Sequence, residues 1–210
     1  MRVLLAILLT SATPGVAMKP NARDTKTAKA SLLATKDLGK GWSAKPASQQ
    51  GVGLNCAGFQ PSGAGIVETG AAASPSFTFG STGPFLFQRT SVYAMAAEAN
   101  TYWQRAVKAK LVTCLVEALQ QVEKQGINVT ISKQGRLPFA SILPDTAAFR
   151  VVGVLKSPTN KLTNYYDVII LHQGRTITAL TISSFVRPSP AAFERGVAQV
   201  VAKKLGGGAA

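Results

Sequence analysis

The only histidine among the 210 residues, His172, is the side chain best suited to general acid-base chemistry. It could act as the base of a Ser-His-Asp hydrolase, with Asp145 or Asp167 as the carboxylate that orients the ring. Such an enzyme also needs a positioned serine, and no serine stands in the Gly-x-Ser-x-Gly spacing of a nucleophile elbow. We therefore expect His172 to be a turn or sheet residue. A small hydrolase that uses His172 with a serine or an acid is the alternative.

The nine acidic residues are scattered, and Glu68, Asp145 and Asp167 are the only ones on or near predicted strands. Two of them could meet in the fold as the carboxylate pair of a glycosidase, although an ion pair or a turn cap is the more ordinary role. No Asp-x-Asp-x-Asp-Gly calcium loop is present, and one histidine leaves few ligands for a transition metal. The glycine pairs at 51/53 and 63/65 do not continue into a phosphate-binding motif. We therefore predict no catalytic residue, no metal and no cofactor.

The first 17 residues predict a secretory signal peptide. Arg2 supplies a positive charge, residues 3–9 form an unbroken apolar run, and residues 15–17 offer small side chains at the cleavage positions. The apolar run is too short to cross a bilayer. We expect the working protein to begin near Met18 and to be secreted or held in the cell envelope, under oxidising conditions.

Two cysteines, Cys56 and Cys114, are the only ones in the chain. An even count in an exported protein predicts one disulfide, and closing a loop of about 60 residues contributes roughly 4 kcal/mol on the loop-entropy model. A pair of free, nucleophilic thiols is the weaker alternative. A helical cysteine beside Leu111, Val112 and Leu115 would have a raised pKa and poor access.

The chain is strongly basic, with 23 basic and 9 acidic residues and a net charge of +14. Cleavage of the predicted signal would remove Arg2 alone and leave +13. A charged surface that keeps the protein soluble accounts for this excess, and attraction to an anionic envelope component is the sharper interpretation. The basic residues are dispersed, so nucleic-acid binding gains no support. Nothing after the signal is long and apolar enough to be a transmembrane segment.

The apolar periodicity predicts an α+β fold. Predicted helices lie at 30–38, 95–125 and 191–205, and predicted strands at 65–69, 76–79, 85–93, 127–132, 148–155, 164–172 and 176–185. A straight helix over 95–125 would measure roughly 46 Å, so we expect two helices or a bend near 108–111. This order of elements is typical of a central antiparallel sheet flanked by helices.

The composition divides the chain into four parts. We predict a signal peptide at 1–17, a flexible N-terminal arm at 18–29, a single α+β domain at 30–205 and a disordered tail at 206–210. Asn128 begins an Asn-Val-Thr tripeptide, which is a formal glycosylation acceptor.

Aromatic side chains could line a ligand cleft between the sheet and the helices. Tyr165 and Tyr166 are consecutive on a predicted strand, so they point to opposite faces of the sheet. His172 ends the same strand, and Arg175 follows the predicted turn at 173–174. We name Tyr165, Tyr166, His172 and Arg175 as the candidate ligand-cleft residues.

Several of these segments together resemble the exported PknH-like sensor-domain family of actinobacteria. The resembling pieces are Leu32-Leu33, the run Asp-Leu-Gly-Lys-Gly-Trp at 37–42, Tyr93-x-x-x-Ala97 leading into the helix of Cys114, Ala148-Phe149-Arg150, the strand at 167–171 and Gly174-Arg175. The similarity covers most of residues 30–205 and implies an α+β domain with a cleft that binds an extracellular ligand without chemistry. Kinase-linked members carry two disulfides, whereas this chain can form one. A more distant similarity is to the Mog1/PsbP-like fold.

The sequence therefore predicts a secreted, non-catalytic, ligand-binding domain of the sensor type in the cell envelope. Its partner is an unknown extracellular ligand or envelope component, and the net charge of +13 favours an anionic one. The second hypothesis is the His172 hydrolase, and the third is a purely structural protein that pairs with another envelope protein.

Overall fold

The computed structural model describes residues 17–46, 56, 59–61, 65–120 and 127–207. Its helices are α1 (Ala22–Ala30), α2 (Ala96–Ala106), α3 (Lys110–Gln120) and α4 (Ala191–Gly207). Its strands are β1 (Ala17–Met18), β2 (Trp42–Lys45), β3 (Val67–Ala73), β4 (Ser76–Phe79), β5 (Phe85–Tyr93), β6 (Asn128–Arg136), β7 (Asp145–Lys156), β8 (Lys161–Gln173) and β9 (Thr176–Phe185). The predicted signal peptide, apart from residue 17, lies outside the described residues.

The nine strands described form one sheet in the order β1-β3-β5-β9-β8-β7-β6, with β4 also pairing with β5 and β2 pairing with β4. All pairs are antiparallel except the two-residue pairing of β1 with β3. The predicted α+β fold with an antiparallel sheet and one disulfide, Cys56–Cys114, is thereby confirmed. None of the four helices described is both long and apolar enough to cross a bilayer.

Both faces of the central strands β7, β8 and β9 are buried. Successive residues of a strand point to opposite sides of the sheet, so each of these strands contributes to two cores. On β8, Tyr166, Val168 and Ile170 belong to the core under α2 and α3. Ile169 and Leu171 belong to a second core, under α4. The continuous apolar run of β8 follows from this double burial, and it makes any charged residue of the central strands conspicuous.

The long helical stretch is broken where its length requires. α2 ends at Ala106, α3 begins at Lys110, and the Val107 N–H still donates to the Trp103 carbonyl at 3.0 Å. The expectation of two helices or a bend near 108–111 is confirmed. On α3, Cys114 faces the core and carries the disulfide to Cys56.

The N-terminal segment departs from the expectation, because α1 covers residues 22–30 where we predicted a flexible arm. The predicted helix at 30–38 is also wrong, since the only helical turn there is a 3₁₀ turn at Thr35–Asp37. A polar network rather than an apolar stripe holds α1. Its buried Asp24 accepts hydrogen bonds from Thr69 Oγ1 at 2.5 Å and Arg175 Nη2 at 2.6 Å. The helix lies so close to β3 that a Cβ on Gly70 would clash with the backbone of Asp24 and Thr25.

Candidate ligand-binding site

A pocket of about 360 Å³ opens beside the first turns of α4. It is lined by the loop after β6, the loop between β9 and α4, one residue of β7 and the start of α4: Leu137, Pro138, Phe139, Ala140, Arg150, Pro188, Ser189, Pro190, Ala191, Glu194 and Arg195. Most of these side chains are apolar. The volume is at the small end of the ~300–1,000 Å³ typical of small-molecule sites.

Arg150 lies in the pocket wall and makes a bidentate ion pair with Asp167. Its Nε and Nη2 atoms donate to the two Asp167 carboxylate oxygens at 2.6 and 2.7 Å, and Nη2 also donates to Glu194 Oε1 at 3.3 Å. Arg150 and Asp167 are directly opposed in the β7–β8 register, so strand periodicity places both on the face that α4 covers. Asp167 is fully buried. The pair therefore fixes the guanidinium plane firmly against the sheet.

Glu194 is the ionisable group of the pocket that the fold perturbs most. Burial raises the pKa of its carboxyl to about 8, and a hydrogen bond and charge repulsion from Asp167 add to the rise. The Arg150 charge acts in the opposite direction. At neutral pH the protonated carboxyl is thus the dominant form, and the cluster of Arg150, Asp167 and Glu194 has no net charge.

Two side-chain donors of residues that line the pocket make no hydrogen bond within the described part of the chain. Arg150 Nη1 makes no hydrogen bond within the described part of the chain. Ser189 is 5% exposed, and its hydroxyl is one of two buried side-chain atoms that lack a partner among the described residues. α4 begins directly after Pro190, which therefore stands at the N-cap position. The proline side chain cannot accept a hydrogen bond, so it does not cap the N–H groups of the first turn.

A strained turn at Val186 precedes the segment 188–190, which lines the pocket. Val186 has a φ of 74°, and the Arg187 N–H donates to the Phe185 carbonyl at 2.9 Å across it. This is the rarer γ-turn, with positive φ at its central residue, and a β-branched side chain makes it unfavourable. The Ser184 hydroxyl also donates to the Arg187 carbonyl at 3.0 Å. Together these two hydrogen bonds fix the backbone conformation just before the segment 188–190.

We expect Val186→Gly to be more stable than Val186→Ala by about 1 kcal/mol, because glycine alone adopts positive φ without steric penalty. Val186 is 61% exposed, so neither change removes much buried surface. Urea unfolding of the two variants at one pH measures the difference. Equal stability of the two variants would show that the turn is not strained.

A second prediction concerns pH. Glu194 has a pKa of about 8 in the fold against an ordinary 4.5, so the folded protein keeps a proton that the unfolded chain releases. Its contribution to stability is complete below pH 4.5 and is lost as the pH rises through 8. Glu194→Gln, which resembles the protonated carboxyl, should gain at least about 1 kcal/mol over the wild type between pH 5 and pH 9.

Urea unfolding at pH 5, 7 and 9 measures this gain. Glu117→Gln on α3 is the matched control, because Glu117 makes no ion pair in the described structure, and its profile should parallel the wild type. A constant difference between Glu194→Gln and wild type at all three pH values would contradict the prediction.

None of the four candidate cleft residues named from the sequence lines this pocket. Tyr166 is buried in the core under α2 and α3, while Tyr165, its neighbour on β8, faces the α4 side. Arg175 donates from Nε to the Tyr93 carbonyl at 2.7 Å and binds Asp24. These contacts position α1 and the end of β5.

His172 lies at the end of β8 against Trp103, with the two ring centroids 6.0 Å apart. Its Nδ1 is 2.8 Å from an Asp145 carboxylate oxygen, and its Nε2 is 2.9 Å from the Gly174 carbonyl. Asp145 is thus the carboxylate that orients the ring, as the triad hypothesis required. Both nitrogens, however, face acceptors within the protein, and no serine is hydrogen bonded to the ring in the described part of the chain. Nor do any three of the described His, Cys, Asp and Glu side chains group as metal ligands.

Sequence reasoning did not select Arg150, Ser189 or Glu194. The available signal was that Arg150 and Asp167 are single charges inside otherwise apolar strands, a pattern that points to a buried pair or a site. Ser189 stands between Pro188 and Pro190 just before a helix, where it has no neighbouring side chain to bind. Glu194 gave no signal, because its burial depends on how α4 packs.

Comparison with known proteins finds similarity in structure and none in sequence. No model of a known protein family matches this chain, and no curated protein sequence does. The chain is similar in structure to the extracellular domain of PknH from Mycobacterium tuberculosis, with a TM-score of 0.46 and 11% sequence identity. The similarity covers 90% of this chain and 97% of that domain.

Proposed function

We propose that this protein is a non-catalytic domain that binds a small ligand in the pocket beside α4, outside the cytoplasm. The observation that carries the proposal is a mostly apolar pocket of about 360 Å³ with the Arg150 guanidinium and the Glu194 carboxyl in its wall. A mostly apolar pocket with a few polar groups in its wall is the usual form of a small-molecule site.

The charge of the chain favours an anionic ligand. The protein carries +14 at neutral pH, and a positive potential raises the local concentration of anions. The unpaired groups of the pocket include the guanidinium nitrogen of Arg150, and Arg195 lies at the rim as a further cation. The ligand we propose is therefore an anion or an electron-rich acceptor rather than a cation.

The disulfide supports a site of action outside the cytoplasm. Cys56 and Cys114 are bonded, and structural disulfides persist in oxidising compartments such as the periplasm or the extracellular space. The predicted signal peptide and the envelope location belong to the same proposal.

Binding can be tested without knowing the ligand. An amide NMR screen of the mature chain against a few hundred neutral, cationic and anionic small molecules should give saturable shifts that cluster at 137–140 and 188–195. Hits confined to other surfaces, or no hits at millimolar concentration, would end the proposal. The protein should be kept oxidised throughout, because the folded structure contains the Cys56–Cys114 disulfide.

The proposal that this domain is not an enzyme can be tested separately. Ester, peptide and glycoside substrates should be cleaved no faster by the wild type than by His172→Ala, because both ring nitrogens of His172 already contact acceptors of the protein. Asp145→Asn, which changes the partner of the ring, is the matched control. Turnover that disappears in His172→Ala while the fold is retained would establish a hydrolase instead.

A further inference from the structure

We propose that this protein also binds the surface of an anionic lipid bilayer, through the side of the sheet that α1 and α4 cover. We call this surface the cationic face, and its exposed cations are Arg23, Lys26, Lys29, Lys36, Lys40 and Lys203. None of these residues lines the pocket beside α4, so the surface is distinct from the proposed ligand site.

α1 and α4 lie on the same side of the sheet. Leu86 on β5 belongs to the core under α4, and Gln88, two residues further along the strand, points to the same side. Gln88 Nε2 donates to the carbonyl of Ser31, directly after α1, at 3.0 Å. Lys204 of α4 donates to the Leu32 carbonyl at 2.7 Å. The two helices and the segment after α1 therefore form one continuous layer.

The outer side of α1 is cationic. Asp24 and Ala28 are buried and lie one turn apart, so this side of the helix faces the sheet. Arg23, Lys26 and Lys29 are exposed and lie on the opposite side of the helix. α1 therefore presents three positive charges to the solvent.

The neighbouring segments extend this charge. Lys36 and Lys40 are exposed between α1 and β2, and Lys203 is exposed on α4. Asp37, which lies among them, is paired with Lys204 at 2.5 Å. The layer of α1 and α4 thus carries cations along both helices and along the chain that connects α1 to β2.

No exposed acidic side chain offsets these cations within the described part of the layer. The acids on this side are buried or paired: Asp24 with Arg175, Asp37 with Lys204, Asp167 with Arg150, and the buried Glu194. The half-buried Glu98, Glu117 and Asp145 belong to the side of α2 and α3. The positive potential of the protein is therefore strongest over α1 and α4.

An exposed aromatic ring lies at the edge of the cationic face. Phe79 on β4 is 44% exposed and lies opposite Trp42 on β2, with ring centroids 5.5 Å apart. Trp42 in turn stacks on Phe193 of α4 at 5.2 Å. Lys40 is next to Gly41, where a Cβ would lie 2.8 Å from the Phe79 ring. An apolar ring and a cation are thus neighbours on the surface.

This combination favours a bilayer over a dissolved anionic polymer. Lysine and arginine side chains are attracted to anionic headgroups, and aromatic rings are favoured at the boundary between headgroups and acyl chains. A hydrated polymer such as polyphosphate would attract the same cations but has no apolar layer for Phe79 to enter. Surfaces that join a basic face to exposed aromatic side chains are typical of proteins that lie on a membrane.

The test is co-sedimentation of the oxidised mature chain with vesicles of phosphatidylcholine alone and of phosphatidylcholine mixed with phosphatidylglycerol. Only the mixed vesicles should bind the protein. Binding should weaken strongly between about 0.1 M and about 1 M salt, because the Debye length falls from about 10 Å to about 3 Å.

Tryptophan fluorescence reports whether the aromatic edge reaches the bilayer. The chain has two tryptophans, and Trp103 is buried in the core at 5% exposure. A vesicle-dependent shift of the emission to shorter wavelength should therefore come from Trp42, which is partly exposed. Trp42→Phe should abolish this shift.

The triple variant Arg23→Gln/Lys26→Gln/Lys29→Gln should weaken binding to the mixed vesicles about 100-fold, since each cation near an anionic surface contributes about fivefold. Glutamine is a good helix former and the three side chains are exposed, so the melting temperature should not fall.

Lys108→Gln/Lys110→Gln/Lys133→Gln is the matched control. It removes the same charge from exposed positions at the junction of α2 and α3 and on β6, away from the cationic face. Its binding should weaken by less than about threefold, because screening restricts the attraction to cations close to the headgroups.

Three results would overturn the proposal. The first is no binding to the mixed vesicles at about 0.1 M salt. The second is an equal loss of affinity in the two triple variants, which would mean that net charge and not this face attracts the protein. The third is tighter binding per phosphate to soluble polyphosphate than to the vesicles, with the Trp42 emission unchanged on vesicles, which would make the partner a polymer.

Discussion

Replacing Arg150 by leucine is expected to lower the free energy of unfolding by about 3–5 kcal/mol at pH 7, the usual result of removing one partner from a buried ion pair. Asp167 is fully buried and accepts two hydrogen bonds from Arg150, and Glu194 accepts a third. Leucine occupies a similar volume in the sheet but leaves the Asp167 charge without a counterion. Urea unfolding at constant pH measures the loss.

The expected loss of stability arises because the buried Asp167 charge has no counterion, and not because the arginine side chain is missing. The double variant Arg150→Leu/Asp167→Leu removes both charges, and it should recover most of the stability, since apolar residues often replace a buried ion pair without loss. Arg136→Leu on β6 is the matched control. Arg136 is exposed and makes a cation–π contact with Phe149 at 5.6 Å, so its replacement should cost less than about 1 kcal/mol.

A double variant as unstable as Arg150→Leu would contradict this interpretation. Such a result would mean that the packing of the arginine stem, rather than the pairing of charges, holds β7 and β8 to α4.

The second half of the fold could be predicted because its pattern is strong. Strands β7, β8 and β9 carry buried apolar residues on both faces, a pattern that favours a sheet covered on both sides. The break between α2 and α3 could also be predicted, since a straight helix over 95–125, roughly 46 Å long, is longer than a compact domain of this size packs comfortably. In both cases local periodicity and size determine the answer.

The first helix escaped prediction because its stabilising contacts are distant in sequence. α1 is polar, and its buried Asp24 binds Thr69 and Arg175, which lie 45 and 151 residues away. The local signal was its cap, in which the Asn21 side chain accepts a hydrogen bond from the Asp24 N–H at 2.8 Å. Without an apolar stripe, that cap alone did not outweigh the basic, aperiodic composition of the segment.

The candidate site is less predictable than the fold for a related reason. Arg150 and Asp167 are visible in the sequence as lone charges in apolar strands, and the register that opposes them follows once β7 and β8 pair. Glu194 joins them only because α4 packs across that face. Ser189 stands out through the absence of a partner, and an absence becomes visible only when the surrounding atoms are placed.

Removing the disulfide is the other change with a large expected effect. The bond joins residues 58 apart, and opening a loop of that size in the unfolded chain destabilises the fold by roughly 4 kcal/mol on the loop-entropy model. We expect Cys56→Ser to lower the free energy of unfolding by about 2–5 kcal/mol, the range found for native disulfides. Reduction of the wild type should produce the same loss, and reductant should not change the variant.

Cys56 is the better position for this test, because Cys114 is buried on α3 and its replacement would also disturb the core. The segment around Cys56 has one further anchor in the described residues: Cys56 and Phe59 exchange two backbone hydrogen bonds of 3.0 Å, and Phe59 packs into the core under α2 and α3. Phe59→Leu, which keeps the disulfide and shortens that anchor, is the control and should lose less than Cys56→Ser.

The disulfide and the Arg150 pair stabilise different faces of the sheet, the first under α2 and α3 and the second under α4. Distant sites that share no partner lose stability additively. Cys56→Ser combined with Arg150→Leu should therefore lose about the sum of the two, a large fraction of the ~5–15 kcal/mol that holds a typical domain together. A combined loss much smaller than the sum would show that the two faces are coupled through the sheet. An unfolding midpoint of the wild type that does not change on reduction would mean that the disulfide does not stabilise the fold.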